Sequence, residues 1–159
     1  MKFNTADLCD QYRDEVQVLQ SGFSSYGKDK KIFGQIVTIK LDEDNSGLIT
    51  LLKGVGEDRV VVVDVDASYC AVVGDTLMGY AHKHNWAGII VNGYVRDTHE
   101  TKKIEAGLWA LGTCPMKSAK KSPSSQGCEL NFGGVTFVEG DYLYADYDGI
   151  VVMKENVLI

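Results

Sequence analysis

A mixed α/β fold is expected for this chain, on three features. Residues 59–64, RVVVVD, are a continuous β-branched run, the pattern of a strand covered on both faces. Residues 74–97, GDTLMGYAHKHNWAGIIVNGYVRD, read as a helix opened by Gly74 and Asp75, a short buried strand over 88–92, and a turn that delivers Arg96 and Asp97. The C-terminal part sets short apolar runs between Gly133-Gly134, Gly140-Asp141 and Asp148-Gly149, which marks a β-rich end punctuated by turns.

The first element is an amphipathic helix near the N-terminus. Asn4 and Thr5 precede acids at positions 7 and 10; Thr5 is expected to accept a backbone N–H, and the acids favour the positive end of the helix dipole. Leu8, Tyr12 and Val16 recur at i, i+4, i+8 and share one face. Residues 21–31 are polar and Gly-bearing, a loop, and residues 33–41 form a strand. Residues 42–47 are an acidic turn, followed by a short helix over 48–53 that Gly54 and Gly56 end.

Beyond the central unit, residues 98–107 give a loop and short helix, and 108–113 another strand stopped by Pro115. Residues 116–126, MKSAKKSPSSQ, form an exposed loop. Strands follow over 129–132, 135–138, 142–145 and 150–153. There is no internal repeat and no linker, so a single domain over 1–159 is expected.

Composition excludes several classes. The chain has 159 residues, 45% apolar and 24% charged, ordinary values for a globular protein. No apolar run approaches 18 residues, so no membrane span is expected. The N-terminus has no apolar core of a secretory signal, which points to a cytoplasmic protein. A net charge of −6 disfavours direct nucleic-acid binding, which needs clustered cations to neutralise phosphates. Cys9, Cys70, Cys114 and Cys128 show no CxxC spacing and are expected as reduced thiols rather than zinc ligands.

The chemistry concentrates on Asp75, Arg96 and Asp97. In an open α/β sheet, a helix N-terminus and the end of the following strand meet at one edge, where ligands bind. Two carboxylates, one guanidinium and free helix N–H groups suit a small anionic substrate held on a divalent cation. The bland alternatives are a dipole-complementing acid at Asp75, worth about 0.3–1 kcal/mol, and a solvated surface pair at Arg96-Asp97. Gly74 permits close backbone approach, so the amides of Gly74, Asp75, Thr76 and Leu77 are candidates for a substrate carboxylate. Asp75 would repel that carboxylate unless a cation or Arg96 intervenes, which argues for metal and arginine as a set.

Other polar groups carry less. His82 and His84 are i, i+2 on a helix, a poor chelating pair; His99 lies close enough to Asp97 to support it from behind. Asp64 and Asp66 either line the pocket or close a strand-end turn. Lys117, Lys120 and Lys121 read as a solvated basic patch, and Asn131 to Gly134 as hairpin structure.

With these residues in view, the chain resembles a known family over nearly its whole length. TADLCDQY, GDTL with GYVRD, NFGGVTF and GDYLYADYDGIVV resemble the regulator of ribonuclease E activity A, whose superfamily includes the class II 4-hydroxy-4-methyl-2-oxoglutarate aldolases. Those aldolases are marked by an Asp, twenty residues, then Arg-Asp; here Asp75, residues 76–95, Arg96 and Asp97 complete the pattern. The resemblance implies a swivelling β/β/α fold with mixed sheets and flanking helices, in a homotrimeric ring with pockets at subunit boundaries.

It also implies roles. Gly74, Asp75, Thr76 and Leu77 would bind the pyruvoyl carboxylate, Arg96 would steady the enolate oxygen, Asp97 would hold Mg²⁺ or Mn²⁺, and Asp75 would orient a water for proton transfer. The implied reaction is retro-aldol cleavage of a small 2-oxo acid to pyruvate, with oxaloacetate decarboxylation as a side activity. The alternative is a regulator that docks on ribonuclease E or its helicase partner and inhibits RNA processing. Relatives often carry a Gly-rich turn after the VVVD strand, where this chain has Asp64-Val65-Asp66-Ala67-Ser68. Some members of the regulator branch lack the second acid of the Arg-Asp pair, which this chain keeps as Asp97.

Overall fold

The computed structural model describes residues 2–119 and 122–158. In chain order the elements are α1 (Thr5–Gln11), β1 (Gln17–Val18), β2 (Ser24–Ser25), β3 (Ile32–Lys40), α2 (Ser46–Leu52), β4 (Val60–Asp64), β5 (Ala71–Val73), α3 (Asp75–Lys83), β6 (Gly88–Val95), α4 (Thr98–Thr101), β7 (Gly107–Thr113), β8 (Ser125–Gln126), β9 (Leu130–Phe132), β10 (Val135–Phe137), β11 (Tyr142–Ala145) and β12 (Ile150–Met153). Among the described residues the main sheet runs β1-β12-β11-β3-β4-β6-β7-β2, with β5 added against β6 and β8 against β3. Strands β3, β4, β6 and β7 are parallel, and the flanks are antiparallel.

The valine run explains this layering. All of β4 is buried, and side chains alternate between sheet faces. Val61 and Val63 join Leu48, Leu52, Met78 and Ala81 of α2 and α3 on one face. Val60 and Val62 join Leu130, Val135, Phe137 and Leu143 of the C-terminal strands on the other. A strand with two apolar cores to serve needs the unbroken pattern seen in the sequence. The Gly133-Gly134 hairpin also forms, both glycines having positive φ.

Several expectations are corrected. Thr5 does not accept a cap bond; its N–H and hydroxyl both donate to Asp146, each at 2.7 Å. The N-terminal helix stops at Gln11, yet Leu8, Tyr12 and Val16 still pack together on Tyr144 and Val151. The loop over 21–31 contains β2, which pairs with β7. The strand after α3 does not turn at Gly93 but continues to Val95. An added Cβ at Gly93 would lie 2.4 Å from Val65 Cγ1, so this glycine makes room for the crossing β4–β5 connection. Strand β5 was not anticipated, and it takes over from β4 as the neighbour of β6 at Tyr94 and Val95.

Candidate active site

That exchange of strands builds the site. Parallel β5 lies beside the end of β6, so the residues leaving both strands emerge together. Gly74 follows β5 and caps α3, while Arg96 and Asp97 follow β6. The Arg96 N–H donates to Val73 O at 2.9 Å and locks the two exits in register. Asp97 sits in the left-handed region at φ 58°, a conformation Asp tolerates better than most residues, and the Glu100 and Thr101 amides donate to its carbonyl at 2.9 Å.

Asp75, Arg96 and Asp97 line one cavity of about 200 Å³ with Gly74, Thr76 and Leu77. The Asp97 carboxylate leans over the start of α3: the Asp75 N–H donates to Oδ2 at a long 3.4 Å. An added Cβ at Gly74 would sit 2.6 Å from that oxygen and 3.5 Å from Arg96 Cγ, so only glycine leaves the carboxylate where it is. The amides of Asp75, Thr76 and Leu77 belong to the first turn and have no intrahelical acceptor. Arg96 is half-buried; its Nη1 donates to Pro115 O at 3.4 Å. None of the three charged side chains is in an ion pair among the described residues.

The donor set bears on a metal. Among the described residues no three His, Cys, Asp or Glu side chains converge as a chelating group. What the cavity offers is an exposed acid at Asp97, with a second exposed acid, Asp75, among its lining residues. Magnesium and manganese sites built on one or two carboxylates, with water and substrate oxygens completing the shell, fit that donor set.

The remaining candidates fall elsewhere. His82 and His84 lie at the C-terminal end of α3, and His82 Nδ1 is 3.1 Å from Glu105 O. His99 Nε2 meets Lys103 Nζ at 3.4 Å and does not line the cavity. Asp64 and Asp66 form a strand-end turn clamped by Lys40, whose Nζ donates to Asp64 at 2.9 Å and Asp66 at 2.5 Å. Of the basic loop, Lys120 and Lys121 lie outside the described residues, while Lys117 lines the cavity. Asn45 and Ile49 line it too, without having been singled out in the sequence. The Asn45 side chain donates to Val72 O at 2.8 Å, an anchor to β5 with no local sequence signal.

Comparison with known proteins bears on the family and the fold. Residues 5–152 match the RraA-like family, described as Aldolase/RraA. A provisionally named 4-hydroxy-4-methyl-2-oxoglutarate aldolase of Aromatoleum aromaticum is 44% identical over 99% of this chain and all of its own length. One from Bacillus cereus is 41% identical over 98% of each. A Geobacillus kaustophilus structure, described as an S-adenosylmethionine:2-dimethylmenaquinone methyltransferase, superposes with TM-score 0.94 at 41% identity over 98% of each chain. The RNA-processing inhibitor RraA from Thermus thermophilis superposes with TM-score 0.92 at 34% identity, over 98% of this chain and 94% of that one. The mixed α/β architecture is therefore a shared fold.

Proposed function

This chain belongs to the RraA-like family, and from that premise we propose that it is a divalent-metal-dependent aldolase. The reaction is cleavage of 4-hydroxy-4-methyl-2-oxoglutarate, or a related 4-hydroxy-2-oxo acid, to pyruvate. The observation that carries it is a single cavity lined by Asp75, Arg96, Asp97 and a helix N-terminus, its charges without ion-pair partners among the described residues. The names borne by the relatives from Aromatoleum and Bacillus support the same reaction class.

Each residue has a physical task. The amides of Thr76 and Leu77 donate to the C1 carboxylate of the substrate, helped by the helix dipole. Asp97 holds Mg²⁺ or Mn²⁺, which supplies Lewis acidity at the 2-oxo group. The Arg96 guanidinium offsets the negative charge that grows on the C2 oxygen as the C3–C4 bond breaks. Asp75 orients a water that carries the C4 hydroxyl proton away and returns one to C3, leaving pyruvate. Loss of CO₂ from oxaloacetate develops charge on the same oxygen and is the expected side activity. A homotrimer with the cavity at a subunit boundary belongs to the same proposal, and light scattering checks its mass.

The test is pyruvate release from 4-hydroxy-4-methyl-2-oxoglutarate by purified protein supplied with Mg²⁺ or Mn²⁺. Turnover that vanishes with chelator and returns with metal supports the assignment; no turnover with either ion sinks it. A second reading, a regulator docking on basic segments of ribonuclease E or its helicase partner, is favoured by the likeness to the Thermus inhibitor and the net charge of −6. A salt-sensitive pull-down with those segments supports it, and no association at low salt counts against it.

A further inference from the structure

A cavity of about 610 Å³ lies at the other end of the sheet, larger than the one at Asp75. It opens at the amino ends of β3, β4, β6 and β7, where Ile32, Arg59, Ala87 and Glu105 line it. Helix α3 joins the two ends: it starts at Asp75 and brings His82 of its last turn to this second cavity. The volume falls within the roughly 300–1,000 Å³ usual for a small-molecule site.

Its charges are unbalanced. Asp29, Glu57, Asp58 and Glu105 line it against Lys31 and Arg59. Both cations are held by other groups. Arg59 Nε and Nη2 donate to Gly56 O and Val55 O, each at 2.9 Å, with the guanidinium 5.0 Å from the Trp86 ring centre. Lys31 Nζ lies 4.8 Å from the Phe3 ring centre and donates to Asn4 at 3.4 Å. Among the described residues Asp29, Glu57 and Asp58 are in no ion pair, and Glu105 has one, to exposed Lys28 at 3.0 Å. Asp29 is half-buried; that burial, and then Glu105, push its carboxyl above the usual range. Half-buried Phe33 and Tyr142, stacked at 6.2 Å, line the same space, and no side-chain cation lies over either ring among the described residues. Open aromatic faces and unpaired carboxylates both favour a cation.

The placement of the acids says which kind. They do not converge on a point: no three form a chelating group among the described residues. They stand instead as two pairs. Glu57 and Asp58 precede β4, while Glu105 precedes β7 and Asp29 joins it there, its N–H donating to Ala106 O at 3.3 Å. Strand β6 lies between β4 and β7, so at 4.7–4.9 Å per strand the pairs are roughly 10 Å apart. The Asp58 N–H donates to Asn85 O at 2.8 Å and the Gly107 N–H to Ala87 O at 2.9 Å, which fixes both pairs against the segment entering β6.

We propose that this cavity binds a linear aliphatic polyamine, with one terminal ammonium on Asp29 and Glu105, the other on Glu57 and Asp58, and the carbon chain lying across the strand starts. Extended spermidine spans that separation; a metal ion or a monoamine reaches only one pair. The site shares no charged residue with the Asp75 cavity and stands whether or not the aldolase reading does.

The experiment titrates the full chain at low salt with spermidine, putrescine and butylamine by calorimetry, and locates the ligand by amide NMR. Contact at both pairs predicts that spermidine binds about 10-fold or more tightly than butylamine, with putrescine between them. The Trp86 indole and the amides of Asp58 and Glu105 shift, and those of Asp75 to Leu77 do not. Asp29→Asn and Asp58→Asn keep the side-chain shape, and asparagine tolerates the φ of 59° at position 58. Each variant weakens spermidine about 10-fold and removes its advantage over butylamine, whereas Glu129→Gln, at an exposed acid outside the cavity, stays within about two-fold. No spermidine binding, equal affinity for the three amines, an equal loss in Glu129→Gln, or shifts centred on Asp75 to Leu77 overturn the proposal. Binding of a lysine-rich peptide in place of spermidine overturns it as well and assigns the cavity to a protein segment.

Discussion

Two groups of charged side chains sit at the carboxyl edge of the same parallel strands and are completed in opposite ways. At the ends of β3 and β4, Asp64 accepts from Lys40 Nζ, from Asn92 Nδ2 and from the Asp66 amide, each at 2.9 Å. The chain supplies every partner, and Asp64 is only 4% exposed. One strand position further along the sheet, Asp75, Arg96 and Asp97 face a cavity without an ion-pair partner among the described residues. The first group holds the β4–β5 connection in place; the second is held in place by it.

The sharpest way to break this contrast is to disturb the open group. Asp97→Asn keeps a residue that tolerates positive φ and removes the charge; kcat/KM for the aldol cleavage is expected to fall by about 10²–10³-fold, with the melting temperature nearly unmoved. Gly74→Ala places a methyl group on the Asp97 carboxylate, which can rotate away. Misplacing that group by an ångström predicts a loss of about 10²-fold, again without unfolding. A large drop in melting temperature for either variant would erase the distinction between the two groups.

Disturbing the closed group should do the reverse. Asp64→Ala strands Asn92 Nδ2, leaves Lys40 with Asp66 alone and is expected to cost about 2–3 kcal/mol by urea titration, or roughly 5–10 °C in melting temperature. A smaller effect lies in the same connection. Asp66 and Ala67 are both left-handed, at φ 52° and 56°, and Ala67 carries a Cβ that this region disfavours. Ala67→Gly is expected to stabilise the chain by about 0.5–1 kcal/mol; destabilisation would show the turn to be unstrained.

The last effect is a pH limb. Burial by itself would lower the Lys40 pKa, but hydrogen bonds to Asp66 and Asp64 outweigh it and hold the ammonium above its ordinary 10.5. A folded-state pKa raised above the unfolded one gives stability that is complete below pH 10.5 and lost as pH rises through the folded value. Denaturation followed above pH 10 should therefore show a decline that Lys40→Met flattens. At the acid end, burial would raise Asp146, yet hydrogen bonds from Thr5 and the Asp148 and Gly149 backbone draw it below 3.8. Its stabilisation is present above that ordinary value and disappears as pH falls through the folded pKa, a loss that Asp146→Asn should reduce.

Much of this molecule was legible in residue order. The valine run announced a doubly covered strand because alternate side chains must fill two cores. Asp75, Arg96 and Asp97 could be brought together on paper because α/β connections return to one edge. Paired glycines marked the β9–β10 hairpin because both central positions need positive φ. Strand β5 was missed because three residues are too short for a periodic signal, and with it went the reason Gly93 stays extended.

What residue order determined by itself is the pattern of burial, the punctuation by glycine and the approximate meeting of three ionic groups, since each follows from local sterics and short-range connection rules. What only the tertiary structure decided is which charges are spent inside the chain and which remain open. Thr5 finds Asp146 across 141 positions, Lys40 finds Asp64 across 24, and Lys117 finds no ion-pair partner among the described residues. Nothing in a lysine's neighbours along the chain distinguishes those two fates, because the opposite charge arrives from a distant strand only when the sheet has formed.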